Sequence, residues 1–191
     1  LSTKSQLRKI YFEKRKQLSV DECSELNQLL LKRFQELNFS GITCIHIFLP
    51  ISSKREPDTL LCIQWLRSKH PQIQISYPKT DFSTLSITNY LNDADLKLEE
   101  SKMGITEPIS GNIIDVNTID MVFVPLLTFD KKGYRVGYGK GFYDRFMATC
   151  KPEARFVGLS LFEPVDAIED IDQYDIPLHQ CITPQKTWEF N

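Results

Sequence analysis

Asp120-Met121-Val122-Phe123-Val124-Pro125-Leu126-Leu127 runs straight into Thr128-Phe129-Asp130-Lys131-Lys132-Gly133-Tyr134-Arg135-Val136-Gly137-Tyr138-Gly139-Lys140-Gly141-Phe142-Tyr143-Asp144-Arg145. The first eight residues carry the strongest strand signal in the chain, a continuous apolar run after Asp120. Asp130 to Gly133 suits a type I turn, with Asp at its first position and Gly at its fourth, so the chain is expected to fold back before Gly137. Phe142, Tyr143, Phe146 and Met147 fall at helical spacing, which starts a helix where the glycines end. Strand, glycine loop and helix in that order are the unit of an α/β protein.

Gly137, Gly139 and Gly141 alternate with Tyr138 and Lys140. Without Cβ atoms, such backbone reaches positive φ and can turn successive amides into one concavity, and a helix start just beyond adds partial positive charge. That geometry suits phosphate. Lys140 offers a mobile point charge, Arg135 and Arg145 offer paired donors, and Asp144 offers a carboxylate for magnesium. The spacing is not a dinucleotide fingerprint, because Phe142 stands where a third Gly is needed, and it lacks the Ser or Thr of a Walker A loop. By spacing alone the segment is also compatible with a glycine-rich hairpin.

Working outward, Thr43 to Leu49 reads as a strand covered on both faces and ended by Pro50. His46 within it is expected to be a core residue. A polar loop follows, then a helix capped by Asp58 and buried through Leu60, Leu61, Ile63, Trp65 and Leu66. This loop leaves the strand's carboxyl end, where open α/β sheets bind ligands, which makes Glu56 a site candidate. Further strands are expected at Gln72 to Tyr77, stopped by Pro78, at Leu85 to Tyr90, at Arg155 to Leu159 and at Gln180 to Thr183. Residues 92–118 show turns at Gly104, Pro108 and Gly111 but no clear element.

At the start of the chain, Leu7, Ile10, Tyr11 and Leu18 mark an amphipathic helix over 3–17, with Lys4 and Arg8 on one face and Lys9, Lys14, Arg15 and Lys16 filling the others. Ser19 and Glu22 form a capping box for a second helix to about residue 37. The expected architecture is one α/β domain over residues 1–191: a three-layer Rossmann-like sandwich whose mainly parallel sheet is flanked by helices, with an N-terminal helical hairpin.

Composition limits the function. The 191 residues carry 23 Lys and Arg against 25 Asp and Glu, a formal charge of -2, which argues against nucleic acid or an anionic membrane as partner. The acidic run from Glu163 to Asp175 reads as a solvated face. Five dispersed cysteines without a CxxC pair suit reduced thiols in the cytoplasm. Neither a membrane-length apolar run nor a signal-peptide core is visible. GxSxG and HExxH are absent, and His70 and His179 join no recognisable set.

Pro125, Phe129-Asp130, Gly133 and the run Arg135 to Arg145 together closely resemble the signature of the 5-formyltetrahydrofolate cyclo-ligases, also called 5,10-methenyltetrahydrofolate synthetases. Lys4 and Arg8 resemble that family's N-terminal Lys-x-x-x-Arg, Phe48 to Thr59 its folate loop with Glu56 in the acidic position, and Gly104-Ile105-Thr106-Glu107-Pro108 its central loop. The resemblance implies an ATP site of Lys4, Ser5, Gln6, Leu7, Arg8, Arg135, Val136, Gly137, Tyr138, Gly139, Lys140, Gly141, Phe142 and Tyr143. It implies a 5-formyltetrahydrofolate site of Arg8, Ile51, Glu56, Met103, Tyr138, Gly139, Lys140, Gly141 and Phe142. Lys140 and Arg135 would be catalytic, Asp144 and Asp175 would hold Mg2+, and the enzyme would be a cytoplasmic monomer. One departure is visible, since His179 stands where the family pattern has a second Asp near Asp175. Two other classes compete for the same features: a non-catalytic nucleotide sensor using the glycine loop, and a nucleic-acid module using the basic first helix with Tyr11 and Phe12.

Overall fold

Local capping starts the chain. Helix α1 (Lys4–Gln17) opens with Thr3 accepting from Gln6 N while the Gln6 side chain accepts from Thr3 N, and α2 (Val20–Phe34) opens with the same box between Ser19 and Glu22. The computed structural model describes residues 2–101 and 104–190; Met103, expected at the folate site, lies outside them. In chain order follow β1 (Cys44–His46), α3 (Thr59–Lys69), β2 (Gln74–Asp81), β3 (Ser86–Leu91), β4 (Lys97–Glu100), β5 (Thr106–Ser110), β6 (Met121–Pro125), β7 (Thr128–Phe129), β8 (Arg135–Val136), α4 (Phe142–Thr149), β9 (Arg155–Leu159), β10 (Gln180–Ile182) and β11 (Thr187–Glu189).

Seven strands form one sheet in the order β11-β10-β9-β6-β1-β2-β3. The pairs from β10 through β9, β6 and β1 to β2 are parallel, and only the edge strands β11 and β3 run antiparallel to their neighbours. Alternation along β6 divides the core. Met121 and Phe123 face the cluster of Leu30, Phe34, Cys62, Ile63 and Leu66 from α2 and α3, while Val122 and Val124 face Phe146 and Met147 of α4. Helices on both faces of a mainly parallel sheet make the α/β sandwich that the apolar runs imply. Helix α1 leaves that scheme: Leu7 and Tyr11 pack with Leu127, Val136 and Ile168, beyond the carboxyl end of β6.

Several elements depart from expectation. Strand β2 continues through Pro78 to Asp81; β1 pairs with it only as far as Ser76, so beyond that point β2 has no strand ladder on that side and a residue without N–H is tolerated. Strand β1 is shorter than the apolar run around it, α2 stops at Phe34, and Leu60 and Ile10 are exposed. The β4–β5 hairpin and β11 were not expected. Within the sheet, Gly158 on β9 has no room for a side chain: a Cβ there would lie 2.7 Å from Leu126 Cδ2 and from Leu178 Cδ1. Gly158→Ala is therefore expected to lower the melting temperature by about 2–10 °C, a loss that calorimetry would register and a melting point at the wild-type value would refute.

Candidate active site

The β7–β8 hairpin aims the glycine loop. Asp130 Oδ1 accepts from Lys132 N at 2.9 Å and Tyr134 N at 3.0 Å, and Gly133 N donates to Asp130 O at 3.1 Å. This is the turn expected from Asp130 and Gly133, and it returns the chain beneath α1. Gly139 at φ 89° and Gly141 at φ 70° then take backbone that a side chain resists. Gly141 caps α4 without any side-chain hydrogen bond, so the first-turn amides of α4 meet no acceptor from a capping side chain.

Cations surround that opening. Arg8 Nε donates to Gly137 O at 3.0 Å, and its guanidinium lies so close to Gly139 that a Cβ there would be 3.0 Å from Cζ. Arg145 donates to Lys140 O at 2.9 Å, and Lys140 itself is exposed. Lys4 reaches Asp175 through a short ion pair and Asp172 at 3.7 Å, while Asp170 accepts from Lys4 N at 2.5 Å. The acidic stretch expected to be a solvated face is thus partly folded against the start of α1. Ser5 and Gln6 are exposed beside these groups, and Leu7 is buried in the core below.

Arg135 sits differently from an open phosphate ligand. Its side chain is 5% exposed; one amino group donates to Asp144 Oδ1 at 2.7 Å and the other to Ile176 O at 2.6 Å. Burial pulls its pKa down, opposed by the charge of Asp144, which it bonds, and by the charge of Asp175. Asp144 Oδ1 also accepts from Ile176 N at 3.2 Å, and Asp175 accepts from Lys4 and Asp172 N through Oδ2. His179, at the departure from the family pattern, is a structural pin: its Nδ1 accepts from Phe156 N at 2.9 Å and its ring stacks on Phe156.

Glu56 is buried, 82 residues from the glycine loop in sequence, yet it accepts a short hydrogen bond from the Tyr138 hydroxyl. Its other oxygen accepts from Ile51 N at 2.7 Å. Tyr138 is enclosed by Phe12, at 5.5 Å between centroids, and by Lys54 Nζ, 4.4 Å from its ring centre. Gly104 approaches Ser53 of the loop after β1: a Cβ there would be 3.9 Å from Ser53 Oγ. Phe142 meets Phe82 of the β2–β3 turn edge-on at 5.1 Å.

Two residues of this region were not expected from the sequence. Arg15 is buried and donates to Tyr138 and to Leu126 O, although its polarity suggests an outer face. The available signal was its spacing, seven residues after Arg8 and eleven after Lys4, which returns it to their face. His46, expected only to fill the core, also holds Tyr143. Its Nδ1 bonds Asn89 Oδ1 at 2.6 Å and its Nε2 accepts from the Tyr143 hydroxyl at 3.1 Å. Burial lowers the His46 pKa to about 4, with Asn89 opposing the shift. The unfolded chain takes up a proton near pH 6.5 that the folded chain refuses until about pH 4. Stability is therefore expected to fall as pH drops through this window, by about 1.4 kcal/mol per pH unit from this residue at most. Urea titrations of His46→Gln should show a shallower slope than wild type, and equal slopes would exclude His46 as the source.

Fold and site together define an α/β enzyme whose ligand loops gather at the carboxyl ends of a mainly parallel sheet. The model of the 5-formyltetrahydrofolate cyclo-ligase family matches residues 1–184, and the chain belongs to that family. It is 32% identical over 143 residues to the 5-formyltetrahydrofolate cyclo-ligase of Haemophilus influenzae, covering 72% of this chain and 74% of that one. The Escherichia coli K12 cyclo-ligase is 23% identical over 186 residues, covering 93% and 98%. Among solved structures, the 5,10-methenyltetrahydrofolate synthetase of Mycoplasma pneumoniae matches with a TM-score of 0.74 at 26% identity, covering 95% of this chain and 98% of that one. That of Aquifex aeolicus also matches at 0.74, with 27% identity and coverage of 98% and 93%.

Proposed function

We propose that this chain, a 5-formyltetrahydrofolate cyclo-ligase, closes the 5,10-methenyl bridge by ATP-driven phosphorylation of the formyl oxygen, with the glycine loop as the floor of the transfer. The observation that carries this reading is the junction at Tyr138: one residue of the glycine loop, next to an open helix start, is bonded to the buried carboxylate of the loop after β1. The two loops face each other, one suited to phosphates and one to a ring with N–H donors.

An amide oxygen is a poor leaving group, and phosphorylation corrects that. The formyl oxygen attacks the γ-phosphorus of ATP, ADP departs, and the formyl carbon becomes an electrophilic imidate. N10 adds to that carbon and loses its proton; the C–O bond then breaks, releasing phosphate and leaving the methenyl cation. Such transfer depends on positioning and charge neutralisation more than on a strong base. In this reading Lys140, Arg8 and the amides from Gly139 to Tyr143 hold the phosphates, with Lys4, Ser5, Gln6 and Leu7 closing that side. Arg135 supplies fixed positive charge from below. Glu56 accepts from the pterin ring, and Ile51 contacts its apolar side.

Magnesium fits the residues present. The hydrogen bonds of Asp144 and of Asp175, among the described residues, each fall on a single oxygen, which leaves the second for a cation. No group of three or more His, Cys, Asp or Glu suited to a metal occurs among the described residues, and Mg2+ needs only one or two carboxylates beside phosphates and water. When bound, it would screen the phosphate charge.

The enzyme is further proposed to be a cytoplasmic monomer with one catalytic domain. No helix among the described residues is long and apolar enough to cross a membrane. Incubation with 5-formyltetrahydrofolate and Mg-ATP should produce the methenyl chromophore with one ADP per turnover. Absence of both products from folded protein would overturn the reading.

A further inference from the structure

Arg15 is 2% exposed, among the largest side chains fully enclosed by this fold. Its Nη1 donates to the Tyr138 hydroxyl at 3.2 Å, its Nη2 donates to Leu126 O, and its Nε is buried with no partner among the described residues. Among the described residues no carboxylate pairs with it directly. Removing a guanidinium from water in this way is costly, and an apolar side chain of similar length would fill the space at less cost. Packing therefore does not account for the charge, whereas the group it touches does.

The Tyr138 hydroxyl has one proton. Accepting from Arg15, it is left to donate to Glu56 Oε1, and burial followed by the Glu56 charge holds its pKa up so that the proton stays in place. Ile51 N fixes the other Glu56 oxygen at 2.7 Å. The path from Arg15 through Tyr138 to Glu56 thus spans α1, the glycine loop and the loop after β1, and every bond along it points one way.

We infer that Arg15 is a positioning residue of the folate site, acting through Tyr138: it commits the phenol to Glu56, joins the phosphate loop to the folate loop, and fixes the carboxylate that meets the substrate ring. This rests on the reading of Glu56 as the pterin contact. With Arg15 shortened or uncharged, the phenol oxygen loses the donor that fixes it and the Tyr138–Glu56 bond is held from one side only, while the ATP side keeps Arg8 and Lys140.

The test is direct titration of 5-formyltetrahydrofolate without ATP, alongside turnover, on wild type, Arg15→Met, Arg15→Lys, Tyr138→Phe and the Arg15→Met/Tyr138→Phe double variant. Arg15→Met is expected to weaken folate binding by about tenfold or more, to move the KM for ATP much less, and to melt close to wild type. Arg15→Lys should recover part of the loss. The double variant should bind no worse than Tyr138→Phe, because both changes act through one hydroxyl. Wild-type folate affinity in folded Arg15→Met, or losses that multiply in the double variant, would overturn the inference. If Arg15→Met does not fold, Tyr138→Phe, which removes a single oxygen, decides: unchanged folate affinity there overturns it equally. Wild-type protein that neither binds the folate nor turns it over refutes the Glu56 reading and this inference together, whereas a functional wild type with indifferent variants refutes the inference alone.

Discussion

Lys140→Ala is expected to lower kcat by about a hundredfold to a thousandfold while leaving the melting temperature unchanged. Lys140 is exposed and follows Gly139, and its carbonyl, not its side chain, is what Arg145 holds. Among the described residues its ammonium group makes no hydrogen bond or ion pair on which the fold would depend. In the proposed reaction that group neutralises phosphoryl oxygens whose charge is redistributed during transfer, an interaction stronger in the transition state than in bound ATP. The loss should thus fall on kcat with a smaller change in KM for ATP. Steady-state kinetics separates the two, and near-normal kcat in folded Lys140→Ala would remove Lys140 from the mechanism.

Glu56→Gln is expected to weaken 5-formyltetrahydrofolate binding by about a hundredfold, with ATP affinity nearly preserved. Both carboxylate oxygens accept in the structure, from Ile51 N at 2.7 Å and from the Tyr138 hydroxyl. An amide presents only one acceptor. With its NH2 toward Ile51, two donors oppose each other in a buried place. With its NH2 toward Tyr138, the phenol must turn its proton toward Arg15, itself a donor. Either orientation disturbs the site before a ligand arrives, and the charge that attracts ring N–H groups is gone. Calorimetric titration checks this, and wild-type folate affinity would show that Glu56 serves only its own loop.

The elements legible in the sequence were those with purely local causes. β6 declares itself by an unbroken apolar run, the Asp130–Gly133 turn by its end residues, α4 by aromatic spacing after Gly141, the first helix by its amphipathic spacing and the second by its capping box. Elements that depend on distant partners were hidden. All four residues of β4 are exposed, so it carries no burial pattern, and β11 is only an edge strand laid on β10. Pro78 punctuated the sequence as a strand end because the early end of β1 is a tertiary fact.

The site divides in the same way. Glycine spacing and the shared face of Lys4 and Arg8 were readable, and the structure brings Arg8 onto Gly137 and Gly139. Arg135 looked like an open donor fork, yet its amino groups are taken by Asp144 and Ile176 O, a backbone acceptor 41 residues away. The acidic stretch looked solvated because composition does not reveal that Asp170, Asp172 and Asp175 meet Lys4. Arg15 was misplaced because polarity was read ahead of helical angle.

The central claim is that the formyl oxygen is phosphorylated above the glycine loop and leaves as part of phosphate. 5-Formyltetrahydrofolate labelled with 18O in the formyl group, turned over with unlabelled ATP, tests it by mass spectrometry of the released phosphate. One 18O per phosphate is the predicted result. Label released to water, with unlabelled phosphate, would contradict the account.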